Sequence, residues 1–272
     1  MKKILIIALF SFCFLFAHSQ NGDTLRVNYF VQSPFAFTEN NSLKGIEIEV
    51  LNEYVFWLKS KKKMNINIKY KPYNSLSDLM EAIKKAGNNN LGLGSVQVTP
   101  ERAKDVDFTC PYLKKVAFCV TNGHAPDIKI ESKDEIMRAL GSMEALTINN
   151  TTLNKYAMDL KKKYLPELKI SYHSDEKKIL DEISKNVLFF GFVDAVGFYT
   201  YLKNNPSKFI KMQKVLNQNK EEIAFIIPKG STHKQLFNEF FNGPGGFKSS
   251  QNYRFILEKY LGTYMTSILA VN

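Results

Sequence analysis

Cysteine is scarce in this 272-residue chain, with three residues in all, which excludes a disulfide scaffold. Histidine is nearly as sparse. His18, His124, His173 and His233 stand apart from one another, and no His/Cys/carboxylate spacing matches a metal site. Phosphate-cradling glycine motifs are missing too: Gly92-x-Gly94 lacks the third glycine of a dinucleotide fingerprint, and there is no Walker loop. No Gly-x-Ser-x-Gly elbow occurs, and nothing nominates a catalytic nucleophile. Neither a metal nor a cofactor is therefore expected. After the N-terminus, no apolar run approaches a membrane-spanning length without charges.

What is present is ordinary globular composition, 44% hydrophobic and 23% charged, which excludes disorder and collagen-like repeats. The length allows one large domain or two of the usual size. Lys and Arg outnumber Asp and Glu by 37 to 26, a net charge of +11. The excess is spread along the chain. It serves solubility or attraction to anionic surfaces before nucleic-acid binding, and no nucleic-acid partner is expected. The runs Lys61-Lys62-Lys63 and Lys161-Lys162-Lys163 fall near helix C-termini, where cations complement the helix dipole.

Residues 1–19 read as a secretory signal: Met1-Lys2-Lys3 is basic, Ile4 to Ala17 is apolar, and Ala17-His18-Ser19 offers small residues for cleavage. Cleavage near Ser19/Gln20 would release a periplasmic or secreted protein. Cys13 lacks the small preceding residue of a lipidation site and would be discarded. Cys110 and Cys119 remain in an oxidising compartment, either as buried thiols or as a disulfide.

From Leu25 onward, β-rich runs alternate with helical ones. Strands are expected at 25–29, 66–70, 91–98, 116–120, 145–148, 168–172, 188–193 and 223–227. Helices are expected at 46–58, from Ser75 to a closing Gly87, and at 133–140, 153–164, 176–183, 195–202, 234–241 and 253–261. Such alternation specifies α/β with largely parallel sheets. The rhythm restarts near residue 112, which points to two lobes.

The most specific stretch runs from Gly94 to Tyr112, GSVQVTPERAKDVDFTCPY. Arg102 offers a planar fork for both oxygens of a carboxylate. Gln97 and Thr99 lie in a turn ahead of a short helix, a place that favours anions. Thr151 and Thr152 open a second helix, as caps or as donors to a ligand. Asp194 ends an apolar strand, where it could cap the next helix or accept an ammonium. Arg102 could instead pair with Glu101 or Asp105 on a surface turn.

This stretch resembles the signature of the bacterial extracellular solute-binding proteins of family 3, in which a Thr-Pro-Glu-Arg turn precedes a Phe-x-x-Pro-Tyr crossing between lobes. Ser33-Pro34-Phe35, Lys44-Gly45-Ile46-Glu47-Ile48-Glu49, Asn150-Thr151-Thr152, Phe192-Val193-Asp194 and Ile227-Pro228-Lys229-Gly230-Ser231 follow in the family's order, over about residues 24 to 262. The chain departs from the family pattern with Glu for Asp at the first helix start and Asn150 for Gly.

The resemblance implies a two-lobed type 2 periplasmic-binding-protein architecture, α/β, with a two-strand hinge and a cleft. Lobe 1 would comprise residues 23–114 and 224–272, and lobe 2 residues 115–223. It implies capture of an amino acid or similar small zwitterion by lobe closure for ABC-type uptake, with the turn around Arg102 on the α-carboxylate and Asp194 on the α-ammonium. Ser95, Gln97, Thr151, Thr152, Phe35 and Gln32 complete the expected ligand-binding set, with Phe35 equally suited to the core. Expected partners are a small-molecule ligand and a membrane permease or sensor, for a monomer that is not an enzyme. Two alternatives stand beside this: a cyclohexadienyl-type dehydratase using a cleft carboxylate as general acid, or a sensor module. The short tail after the last expected helix argues against a fused domain.

Overall fold

Two apolar periodicities organise the chain, one of period two in the strands and one of helical spacing in the segments that cover them. In the computed structural model, which describes residues 23–271, they produce two sheets. The signal segment and its cleavage point lie outside the described residues.

The elements in chain order begin with β1 (Asp23–Phe30), the short hairpin β2 (Phe37–Glu39) and β3 (Ser42–Lys44), and helix α1 (Ile46–Lys62). Then come β4 (Ile66–Tyr73), α2 (Leu76–Lys84), β5 (Asn90–Leu93) and β6 (Asp107–Phe108). The second set is β7 (Leu113–Asn122), α3 (Lys133–Leu140), β8 (Glu144–Thr147), α4 (Thr152–Lys163), β9 (Lys169–Tyr172) and α5 (Glu176–Lys185). It continues through β10 (Phe189–Asp194), α6 (Ala195–Asn204), β11 (Ile210–Met212) and β12 (Gln218–Ile223). The chain then returns with β13 (Ile226–Ile227), α7 (His233–Asn242) and α8 (Gln251–Leu269).

The first sheet has the order β4-β1-β5-β13-β6, and the second β11-β7-β10-β8-β9 with β12 also on β7. Each sheet has a parallel heart, β4-β1-β5 in one and β10-β8-β9 in the other. Antiparallel strands flank both, so the sheets are mixed. Each parallel step is a crossover through a helix, as the alternation requires. Capping side chains mark several helix starts: Ser75 accepts the Asp78 N–H, Thr151 the Asn154 N–H, and Asp194 the N–H groups of Val196 and Gly197.

Three differences from the expected elements matter. The strand expected at 91–98 stops at Leu93, because Ser95 takes a left-handed φ of 52° and turns the chain. The apolar run 223–227 is divided: Ile223 ends β12 in the second sheet, and Ile226 starts β13 in the first. The last helix continues past residue 261 and bends at Gly262, whose φ of 73° lies outside the helical region. Smaller changes are the closing of α2 at Lys85 rather than Gly87 and the unexpected hairpin β2-β3 and strand β11.

The chain therefore passes between lobes twice, from β6 to β7 and from β12 to β13. The passages lie side by side, with Tyr112 N–H on the Ile223 carbonyl at 3.0 Å and Thr109 N–H on the Phe225 carbonyl at 3.0 Å. Helix α8 braces them. Its Tyr253 hydroxyl donates to the Tyr112 carbonyl at 2.6 Å and accepts the Val271 N–H at 3.0 Å. Its far end reaches the second lobe, where Ala270 bridges Leu113 and Gly262 lies against the Tyr199 hydroxyl. One apolar cluster runs through both lobes along this seam, including Tyr112, Phe225, Phe237 and Phe118. Separate clusters fill the outer face of each sheet. Among the described residues, no helix is long and apolar enough to cross a membrane.

Candidate functional site

The cleft between the lobes is floored by the passages and walled by strand ends and helix starts, the position where open α/β sheets receive ligands. It has two adjoining compartments. The larger, about 590 Å³, is lined by residues that include Gln32, Phe35, Ser95, Ile148, Ser174 and Tyr201. The smaller, about 390 Å³, is lined by Gln97, Thr99, Arg102, Thr151 and Thr152 among others. Lys115, Glu176 and Asp194 line both and so form the partition.

Arg102 opens a short 3-10 turn after Thr99-Pro100-Glu101. Its backbone N–H is held by the Thr99 hydroxyl at 3.3 Å, and its Nη1 donates to the Gln97 carbonyl at 2.9 Å. Residues 96–98 are in turn laid against the β12 passage: Val98 N–H donates to the Glu222 carbonyl and Ala224 N–H to the Val96 carbonyl. Arg102 makes no ion pair among the described residues. Neither alternative partner pairs with it: Asp105 is bound to Lys84 at 2.9 Å, and Glu101, though it lines the same compartment, is exposed and hydrogen-bonded to Thr99. Burial pulls the Arg102 pKa down, with Glu221 acting against it. The result is a partly desolvated guanidinium at a compartment whose inner carboxylates, Asp194 and Glu176, are engaged with Lys115 and with the Asp194 N–H.

Across the smaller compartment lies the start of α4. Thr151 is fully engaged as a cap, donating to the Ile148 carbonyl at 2.6 Å and accepting the Asn154 N–H at 3.2 Å. Asn150 adopts φ 58°, a left-handed conformation that Asn tolerates, so the departure from Gly leaves the tight entry to α4 intact. The helix start and Arg102 together offer a carboxylate two sources of positive potential.

Asp194 ends β10. One carboxylate oxygen accepts the N–H groups of Val196 at 2.9 Å and Gly197 at 3.3 Å. The other lies 2.5 Å from Lys115 Nζ, with both side chains mostly buried (23% and 18% exposed). Lys115 comes from β7, three residues past Tyr112. Burial pulls its pKa down, yet Asp194 and the neighbouring acids hold it above the usual lysine value. Glu176, at the start of α5, accepts the Asp194 backbone N–H at 2.9 Å. Burial and the nearby Asp194 charge raise its pKa to about 7. A Cβ on Gly197 would come within 2.8 Å of that carboxylate, so glycine is what admits it.

Ser95 is positioned from behind. Its N–H donates to Glu47 Oε1 at 2.9 Å, and the Tyr112 hydroxyl donates to the same oxygen at 2.6 Å. Glu47 is wholly buried at the start of α1, and burial raises its pKa to about 7. Its Oε2 has no hydrogen-bond partner. Gln32 accepts the N–H groups of Phe35 and Ala36 at the cleft edge, while Phe35, 3% exposed, belongs both to the core and to the cleft wall.

The eight residues singled out from sequence thus all line one compartment or the other. Sequence reasoning missed Lys115 and Glu176. Their signals were slight: the second of two lysines at the start of a mostly apolar strand just after Pro-Tyr, and an acid directly after the Asp175 cap. Cys110 and Cys119 are free thiols, and burial raises the pKa of both. Among the described residues no His/Cys/Asp/Glu group could hold a metal ion.

Two mixed sheets, a double passage and a polar cleft define a two-lobed ligand-binding protein. Residues 27–263 match the bacterial extracellular solute-binding proteins of family 3, and the chain belongs to that family. It is 24% identical to the ABC transporter arginine-binding protein 1 of Escherichia coli (strain K12), over 96% of this chain and 99% of that protein. Its fold is that of an ancestral arginine-binding protein bound to arginine (TM-score 0.59, 21% identity, 88% of this chain and 98% of the other). It is also that of the second substrate binding domain of a putative amino acid ABC transporter from Streptococcus pneumoniae Canada MDR_19A (TM-score 0.64, 19% identity, 87% and 99%).

Proposed function

We propose that this protein captures an amino acid outside the cytoplasm by closing its lobes, 23–114 with 224–272 against 115–223, and presents it to an ABC-type permease. The observation that carries the reading is Arg102, a half-buried guanidinium with no ion pair among the described residues, facing the start of α4 across the compartment that Asp194 also lines. The ligand's carboxylate would take the Arg102 fork and the α4 start, from opposite walls. Its ammonium would take Asp194. Each charge-assisted hydrogen bond formed as water leaves contributes about 1.5–3 kcal/mol.

Support for the amino-acid class comes from the relatives, whose names carry amino-acid ligands. Thermal-shift screening of the purified chain against the twenty amino acids tests it, since a ligand bound only by the native state raises Tm by mass action. Stabilisation by amino acids supports the reading; none at millimolar concentration removes it.

A second reading is favoured by one feature. Glu176 is a buried cleft carboxyl whose pKa is raised to about 7, a value suited to a general acid. Turnover of prephenate-like acids by pure protein would establish a dehydratase.

A further inference from the structure

The ammonium subsite already contains an ammonium. Lys115 Nζ lies 2.5 Å from the one Asp194 oxygen that is not engaged in capping α6. A ligand ammonium that takes this oxygen competes with Lys115 for it and draws the lysine's only direct anionic partner among the described residues away from it. The mostly buried lysine would then share Asp194 with a second cation, a costly arrangement.

Two other carboxyls stand near Lys115, and neither is a ready replacement. Glu176 accepts the Asp194 N–H, and burial with Asp194 drives it toward its neutral form. Glu221 serves as acceptor to Tyr156 and acts on Lys115 through space. Other charges at the larger compartment are spoken for: Lys177 pairs with Asp181 at 2.7 Å, and Asp175 caps α5. Lys115 is thus the unclaimed cation once Asp194 changes partner. It lines both compartments, and on the larger one Gln32, Ser95, Ser174 and Thr200 add neutral donors.

We propose that Lys115 is a specificity-determining residue that selects an amino acid carrying a second carboxylate, which receives the lysine as the ligand's ammonium takes Asp194. This rests on the amino-acid reading and narrows it to dicarboxylic amino acids. Ligands with a cationic side chain are disfavoured, because they bring a further positive charge beside the lysine.

The test is calorimetric titration of the full chain with L-glutamate, L-aspartate, L-glutamine, L-arginine and glutarate, for the wild type and Lys115→Met. Wild type should bind glutamate or aspartate at least about tenfold more tightly than glutamine or arginine, and Lys115→Met should lose or reverse that order. Tighter binding of glutamine or arginine by wild type overturns the proposal and leaves the amino-acid reading standing. An acidic preference that survives in Lys115→Met also overturns it. Glutarate binding above both acidic amino acids overturns both readings; no binding by any of the five overturns the proposal, and the screen of all twenty amino acids then decides the amino-acid reading. Should Lys115→Met not fold, Lys115→Gln takes its place, and the wild-type order alone can still refute the proposal.

Discussion

Glu47 and Ser95 are joined by a 2.9 Å hydrogen bond from the Ser95 N–H to a carboxylate oxygen buried at the start of α1. The bond fixes the left-handed turn at Ser95 that ends β5 and starts the loop leading to Arg102. A group with no access to solvent therefore shapes the cleft wall.

That burial has a pH signature. Glu47 titrates at about 7 in the folded protein against 4.5 as the ordinary value, so the native state binds more protons across that interval. Its contribution to stability is full below pH 4.5 and is lost as pH rises through 7. Glu176 acts in the same direction. Urea unfolding at pH 5 and pH 8 should show a loss at the higher pH, and Glu47→Gln should reduce that loss by about 1–3 kcal/mol. An identical pH dependence in the variant would exclude Glu47 as its source.

Arg102→Ala removes the guanidinium that faces the α4 start. If the carboxylate of the ligand lies there, affinity falls by roughly a hundredfold or more by calorimetry. The substitution also removes the hydrogen bond to the Gln97 carbonyl, so Tm without ligand should fall modestly, by the loss of about one hydrogen bond. Unchanged affinity would remove Arg102 from the site.

Gly45 has φ 127°, and an added Cβ would collide with the Phe35 carbonyl and the Ala36 nitrogen. Gly45→Ala is expected to destabilise the fold by at least about 1–3 kcal/mol, measured by urea unfolding. A loss within 0.5 kcal/mol of zero, roughly the spread of ordinary surface changes, would contradict the strain assigned here.

Asn150 offers a finer comparison. At φ 58°, Asn150→Gly should leave stability nearly unchanged, whereas Asn150→Val should cost about 1–2 kcal/mol. Equal Tm values for the two variants would show that the entry to α4 does not require the left-handed conformation.

Features governed by near neighbours were legible from sequence. Ser75, Thr151 and Asp194 start helices through bonds to N–H groups two or three residues ahead, so their spacing alone announces them. The Arg102 turn is similarly local, held by Thr99 and the Gln97 carbonyl. What escaped depends on which sheet a segment joins. The run 223–227 is continuously apolar because both lobes bury it, and periodicity carries no mark of the transfer at residues 224–225. Lys115 meets Asp194 only because β7 and β10 pair antiparallel, with Ala117 opposite Asp194. No local pattern encodes that encounter.

The loop bearing Arg102 is stitched to the β12 passage through Val98 and Ala224. Any flexing of that passage must drag the loop along with it, so the guanidinium cannot keep its aim while the two halves change their angle. Recognition and motion would then share one mechanical linkage, and a fluorophore on the loop would report the swing as faithfully as one on either outer rim.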